Sequence, residues 1–206
     1  MGWSEFFLFM SMEMNILEKR ILQDGIVRQG GVLKVDSFLN HLIDIDLMNW
    51  VGSEFKRRFN DIEVTKILTA ESSGIAVACI TANYLKVPVL FAKKSRTINM
   101  DDDNLSAASY SYTHQTKCNL MVSRRYILPT DKVLIIDDFL ANGNSSLALA
   151  DIVVQAGACV TGIGIVIEKG MQDGGKLLRK AGYRVESLAI IGNMDPETGI
   201  ITFRGR

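Results

Sequence analysis

The residues best suited to chemistry lie between Val133 and Ser145, where VLIIDDFLANGNS sets four apolar residues, two adjacent carboxylates and a run of small polar residues in succession. The apolar run Val133–Ile136 is expected to be a strand buried on both faces, with Asp137 and Asp138 at its end. Two neighbouring carboxylates can accept charge-assisted hydrogen bonds from two adjacent ribose hydroxyls. Ala141, Asn142, Gly143, Asn144 and Ser145 then open a helical pattern. Small residues at a helix N-terminus turn successive N–H groups and a partial positive charge toward a phosphate. Gly143 can take positive φ and lets the backbone approach a ligand closely. This combination predicts a site for a phosphorylated ribose. It is neither a P-loop, which needs Gly-Lys-Ser/Thr, nor a GxGxxG fingerprint. A plain βα turn with Asp as a helix cap leaves the double acid at a buried strand end unexplained.

A second polar loop, Glu71-Ser72-Ser73-Gly74, follows the β-rich run VTKILTA (64–70). Its small residues and Gly74 suit backbone amides facing a polyanion; the alternative is that Ser72 or Ser73 caps the next helix. Lys93 and Lys94 stand at the following strand end, either neutralising that polyanion or simply exposed. His41 and His114 have no triad partner at a recognisable spacing. Cys79, Cys118 and Cys159 are an odd, scattered set without a CxxC pair, as expected of free thiols in a reducing compartment. A zinc site would need more ligands than these groups offer.

The elements that must carry these loops alternate. A helical pattern occupies MNILEKRILQDG (14–25), and Asp46 is positioned to cap a helix running to about Phe59. Strands are expected at 64–70, 87–93, 133–138, 160–169, 183–191 and near the C-terminus. Helices are expected over Ile75–Leu85, from the phosphate loop to Gly157, and over Gly175–Ala181. SYSYTHQ (109–115) and NLMVSRR (119–125) read as a hairpin. Strands alternating with helices imply an α/β fold: an open, mainly parallel sheet flanked by helices, with a small flanking hood subdomain built from the N-terminal segment. Ligands of such sheets sit outside the carboxyl ends of the strands, where both polar loops fall.

Bulk composition narrows the class. The 206 residues are 48% hydrophobic and 22% charged, enough for one sizeable core. The 23 basic and 23 acidic residues balance, so net charge points to neither nucleic acid nor membrane. The apolar stretch Leu147–Ile167 is broken by Asp151 and Gln155 and does not read as a membrane span. Residues 1–13 lack the features of a signal peptide and are read as a disordered tail or a misplaced translation start, leaving 14–206 as a single domain.

The Val133–Ser145 segment resembles the phosphoribosyl diphosphate (PRPP) signature of the type I phosphoribosyltransferases. Most of that superfamily carries Thr where this chain has Asn142. The DDFLANG form is similar to one branch, the bacterial xanthine phosphoribosyltransferase family. The resemblance runs from about Met14 to Arg206 through VLKVDSFLNH (32–41), ESSGIA (71–76), GIGIVIEK (162–169) and GYRVESLA (182–189). It implies that Ala141, Asn142, Gly143, Asn144 and Ser145 bind the 5'-phosphate, that Leu33, Asn40 and Lys169 contact the xanthine, and that ESSG is the pyrophosphate loop. The polar stretch Ser95–Tyr112 resembles the family's mobile hood. A homodimer in the cytoplasm is also implied, with Mg²⁺ bound mainly through PRPP or pyrophosphate and no protein metal ligand assigned.

Those base contacts are chemically sensible. A lysine ammonium donates only, which serves a purine carbonyl and not adenine's amino group. Asn40 offers both a donor and an acceptor. Read without the resemblance, Asn40 is a turn or cap residue and Lys169 a solvated partner of Glu168; Leu33 carries no chemical signature of its own. The implied reaction is xanthine plus PRPP giving xanthosine 5'-monophosphate and pyrophosphate, through an oxocarbenium-like transition state. Asp137 and Asp138 are the catalytic acids. One binds ribose hydroxyls and the other faces the developing charge, and spacing does not say which does which. Hypoxanthine or guanine is the alternative acceptor. A PRPP-binding regulator is the alternative class, although no helix pair with a basic recognition face precedes residue 32.

Overall fold

The computed structural model describes residues 14–95, 103–111 and 116–204. Predictions that fall on residues 1–13, on His114 and on 96–102 lie outside these.

The chain opens with α1 (Ile16–Asp24), started by a capping box in which Asn15 and Glu18 each accept the other's backbone N–H at 2.9 Å. Asn15 Nδ2 also donates to the carbonyl of Leu188, 173 residues away, which ties this helix to the sheet. A short hairpin, β1 (Ile26–Arg28) and β2 (Val32–Lys34), leads into a π-turn over Asp36–Asn40. Next comes α2 (Ile45–Arg58), whose cap is Asp44 rather than Asp46: its carboxylate accepts from Leu47 N at 3.1 Å. Both aspartates suit the position by type; Arg20, which donates to Asp44 at 2.8 Å, is a tertiary partner that sequence spacing does not reveal.

The central layer follows: β3 (Lys66–Ala70), α3 (Gly74–Leu85), β4 (Val89–Ala92), then β7 (Lys132–Leu140), α4 (Asn144–Gln155), β8 (Cys159–Lys169), α5 (Gly174–Lys180), β9 (Val185–Met194) and β10 (Ile201–Phe203). Between β4 and β7 an antiparallel hairpin is inserted, β5 (Asn104–Ser111) with β6 (Thr116–Ser123). Among the described residues the central sheet runs β10-β9-β8-β7-β3-β4, parallel except for the last strand, β10. The open, mainly parallel sheet is as the alternation predicted.

Two differences matter for the site. Ser95–Tyr112 is not structureless throughout, because Asn104–Ser111 pairs residue for residue with Thr116–Ser123. The first arm of the hairpin therefore starts five residues upstream of SYSYTHQ. Its buried positions, Leu105, Ala107 and Ser109, are mostly small, so their alternation is weak in sequence. Strand β7 also runs on to Leu140, which makes the two acids part of the strand. On one side its ladder to β8 continues through Leu140↔Glu168, whereas on the other its ladder to β3 stops at Leu68↔Ile135. The edge beyond Ile135 is thus unpaired on the β3 side. That opening exposes the acids to a cleft.

Apolar residues pack on both faces of the sheet. Phe38, Phe55, Phe59, Ile67, Leu134 and Ile136 belong to one cluster; Leu68, Val133, Ile135, Leu149, Val153 and Leu178 to the other. Leu17, Ile21, Leu33 and Val35 join the first cluster, so the N-terminal elements share its core with α2 and α3.

Candidate active site

Strand order reverses between β3 and β7: the chain proceeds outward to β4 on one side and to β8 and β9 on the other. Crevices at such reversals, outside the strand carboxyl ends, are where open α/β sheets bind ligands. A cleft of about 650 Å³ opens there. Asp137, Asp138, Leu33, Asn40, Lys169, Ala141, Asn142, Gly143, Asn144 and Ser145 all line it. Sequence positions 33 to 169 are brought to one wall by the fold.

At the floor, Asp137 and Asp138 are 8% and 6% exposed, and Asp138 N donates to Asp137 Oδ1 at 3.0 Å. Burial, and then the neighbouring Asp138 charge, push the Asp137 carboxyl well above the usual carboxylate range. The two acids face different surroundings. Asp138 Oδ2 accepts from Asn40 Nδ2 at 3.2 Å. The Asp137 carboxylate lies beside Gly74, where a Cβ would come within 3.0 Å of Oδ1.

The phosphate loop is shaped by two glycines. Gly143 has φ 82° and ψ 0°, left-handed values that β-carbon sterics disfavour in other residues, and it starts α4 without a side-chain cap. The first amides of α4 therefore have no partner within the helix and face the cleft region. Gly174, at the start of α5, holds the loop from behind. Its N–H donates to Ala141 O at 3.0 Å, and a Cβ there would strike Ala141 O and come within 2.6 Å of Gly143 N.

The ESSG loop forms the next wall through Glu71 and Ser73, joined by Lys94. Ser73 occupies the N-cap position of α3 but makes no side-chain capping bond, so capping does not account for it. Glu71 Oε1 accepts from the Lys94 amide at 2.6 Å, fastening this loop to the end of β4. Lys93 does not line the cleft; its backbone pairs with Met121 of the hairpin.

At the far end, Lys169 is half-buried and desolvation lowers its pKa. Its Nζ donates to Gly31 O at 2.9 Å, 138 residues away, and lies 5.7 Å from the centre of the Phe139 ring. The neighbouring Glu168 is not its partner. That carboxylate is buried, is held by a two-bonded Arg179 fork at 2.9 Å each and by Ser187 Oγ at 2.5 Å, and is kept below its usual pKa by them despite burial. His41, next to Asn40, is exposed and does not line the cleft.

Among the cleft residues to which sequence assigned no role are Gly31, Phe139, Ser109, Ser146 and Gln172. Ser109 comes from β5 and stands 3.5 Å from Ser145 Oγ. Ser146 Oγ and Gln172 Oε1 are buried and have no hydrogen-bond partner among the described residues. Only Ser146 was reachable from sequence, by extending the polar loop one residue into the helix.

The model of the phosphoribosyl transferase domain matches residues 44–193. The chain belongs to the phosphoribosyltransferase family. A protein of Lachnoclostridium phytofermentans named xanthine phosphoribosyltransferase is 53% identical over 192 residues, 93% of this chain and 99% of that one. A protein of the same name from Bifidobacterium adolescentis is 50% identical over 192 residues, 93% of this chain and 100% of that one. Among solved structures, adenine phosphoribosyltransferase from Rhodothermus marinus superposes with a TM-score of 0.70 at 23% identity, covering 84% of this chain and 97% of that one. The Giardia lamblia enzyme bound to 9-deazaadenine gives 0.66 at 20% identity, covering 81% and 92%. At such identities the structural matches establish the fold alone. The diacid on β7, the loop after it, Asn40 and Lys169 all line this one cleft.

Proposed function

We propose that this chain transfers the phosphoribosyl group of PRPP to xanthine, giving xanthosine 5'-monophosphate and pyrophosphate in purine salvage. The observation that carries this reading is the convergence of Lys169 and Asn40, from distant segments, on the same cleft as the Asp137–Asp138 pair and its phosphate loop. The names of the relatives at 50–53% identity support it.

In this reading the amides and side chains of 141–145 hold the 5'-phosphate, and Ser73, Lys94 and nearby amides receive pyrophosphate. Leu33 and the Phe139 ring enclose the base, Lys169 donates to a carbonyl oxygen, and Asn40 meets the remaining polar edge. The bond from the anomeric carbon to the pyrophosphate oxygen breaks as the base nitrogen bonds to that carbon. The base then loses its ring proton. No side-chain nucleophile is required; positioning and electrostatics lower the barrier. Asp138, bonded to the base-contacting Asn40, is the acid nearest the junction of base and sugar and stabilises positive charge there. Asp137 binds ribose hydroxyls. Among the described residues no cluster of three or more His, Cys, Asp or Glu is available for a metal. Mg²⁺ bound through PRPP would supply positive charge to the leaving group, and Asp137 and Asp138, hard oxygen donors lining the cleft, are the residues that would help hold it.

The working unit is residues 14–206, acting as a cytoplasmic homodimer. No helix among the described residues is long and apolar enough to cross a membrane.

A spectrophotometric panel with PRPP, Mg²⁺ and each purine in turn tests the proposal. Turnover highest with xanthine is expected. Preference for guanine or hypoxanthine would replace the acceptor, and PRPP-dependent DNA binding without turnover would replace the enzyme.

A further inference from the structure

We infer that Asp138 sets the amide orientation of Asn40, and thereby makes Asn40 the hydrogen-bond acceptor of the base site. This rests on the reading that Asn40 faces the base. Asn40 ends the Asp36–Asn40 π-turn, an exposed residue on a turn anchored by buried Phe38 and Leu39. A free amide on such a turn can rotate by half a turn, exchanging oxygen and nitrogen at little cost. Asp138 removes that freedom. A carboxylate oxygen accepts, so the Nδ2 side of Asn40 faces Asp138 Oδ2, as the 3.2 Å contact has it. Asp138 is itself immobile, being 6% exposed and held within β7. Since the amide is planar, fixing Nδ2 on Asp138 turns Oδ1 away from that carboxylate, and in this reading leaves it for the base.

The chemical consequence is a defined reading pattern. Lys169 can only donate and Asn40 presents an acceptor, so the site offers one partner for a carbonyl and one for a ring N–H. That is the lactam pattern, –NH–C(=O)–, repeated in a dioxopurine. A site whose polar groups are fixed in this sense rejects a base that leaves them unpaired. Asp138 is thus a positioning residue for base choice as well as a charge at the reacting carbon. One acid serves both ends of the cleft.

The test is equilibrium binding of xanthine, by calorimetry, in the presence of ribose 5-phosphate and pyrophosphate, so that turnover plays no part. Asn40→Asp sets two carboxylates face to face and should weaken xanthine binding by about tenfold or more. Asp138→Asn frees the Asn40 amide and should weaken it several-fold. The exchanged pair, Asn40→Asp with Asp138→Asn, restores one N–H to the contact and leaves an acceptor facing the base. Its xanthine Kd should return to within a few-fold of the native value while turnover stays low. Native-like xanthine binding by Asn40→Asp, or an exchanged pair no better than the single variants, would overturn the inference. If an Asp138 variant fails to fold, the Asn40 side-chain amide of the unaltered chain decides by nuclear magnetic resonance. One exchange-protected, downfield Nδ2 proton supports the bond, and two freely exchanging protons refute it. Failure of the underlying reading looks different: the unaltered chain would bind ribose 5-phosphate but no xanthine.

Discussion

The two ends of the cleft are built in opposite ways. The end proposed for the sugar phosphate is one continuous stretch, Asp137 to Ser145, in which a strand, a glycine turn and a helix start follow directly along the chain. The end proposed for the base is assembled from β2, the π-turn and the end of β8, joined by Asn40–Asp138 and Lys169–Gly31 contacts spanning 98 and 138 residues. A contiguous loop carries its geometry in local backbone preferences. A composite wall has only the geometry that packing of the N-terminal elements against the sheet imposes. The first kind suits a substrate group shared by a whole family, and the second a group that changes from member to member.

Substitutions can break this contrast or sharpen it. The largest effect is expected at the floor, common to both ends. Asp137→Asn should lower kcat/KM by about 10² to 10³, the range seen when a charge-stabilising group is lost. The same change should raise the stability of the free protein. Asp137 is buried beside Asp138 and its folded-state pKa is raised, so the stability it contributes is present below its unfolded pKa and lost as pH rises through the folded value. Asp137→Asn removes that loss. Thermal melts should therefore show the variant gaining most over the native chain near neutral pH and least in acid.

Next in size is Gly174→Ala. Its β-carbon would drive into backbone atoms of the phosphate loop, and a displacement of about 1 Å at a reacting group can cost up to ~10²-fold. KM for PRPP should rise while xanthine binding changes little, as steady-state kinetics with each substrate varied will report. An equal rise in both constants would show the two ends to be mechanically coupled. Lys169→Met should give the converse pattern, about 10- to 100-fold lower kcat/KM for xanthine from one unpaired carbonyl, with PRPP binding nearly intact. The smallest effect is expected from Ser109→Ala, which removes a peripheral hydroxyl 3.5 Å from Ser145. A few-fold rise in KM for PRPP is the outlook, measured in the same assay, and a larger one would make the β5–β6 hairpin a true third wall.

The same contrast explains what was legible. Val133–Ser145 announced itself because an apolar run, a double acid and small residues have local consequences: burial, charge and turn formation. The β8 strand and the helices after β3 and β7 were readable for the same reason. Leu33 had no chemical signature, and Asn40 and Lys169 each had a bland local explanation; only the resemblance singled them out. For Lys169 the structure removes that explanation, since Glu168 is occupied by Arg179 and Ser187. Phe139 and Gln172 were invisible because an aromatic in a strand and a glutamine in a turn are ordinary residues until something is placed opposite them.

By itself, then, the sequence determined a buried strand that ends in two acids and a small-residue loop opening a helix, because those features lie within thirteen consecutive residues. It also determined the alternation that makes a parallel sheet. Tertiary structure alone decided that β3 stops pairing at Ile135 and so uncovers the acids. It also decided that Asp138 turns toward Asn40 while Asp137 turns toward Gly74, and that Lys169 closes on the β1–β2 turn. Those outcomes depend on where ladders end and on which buried faces meet. Such contacts join residues far apart in the chain, and no local pattern of residue types encodes them.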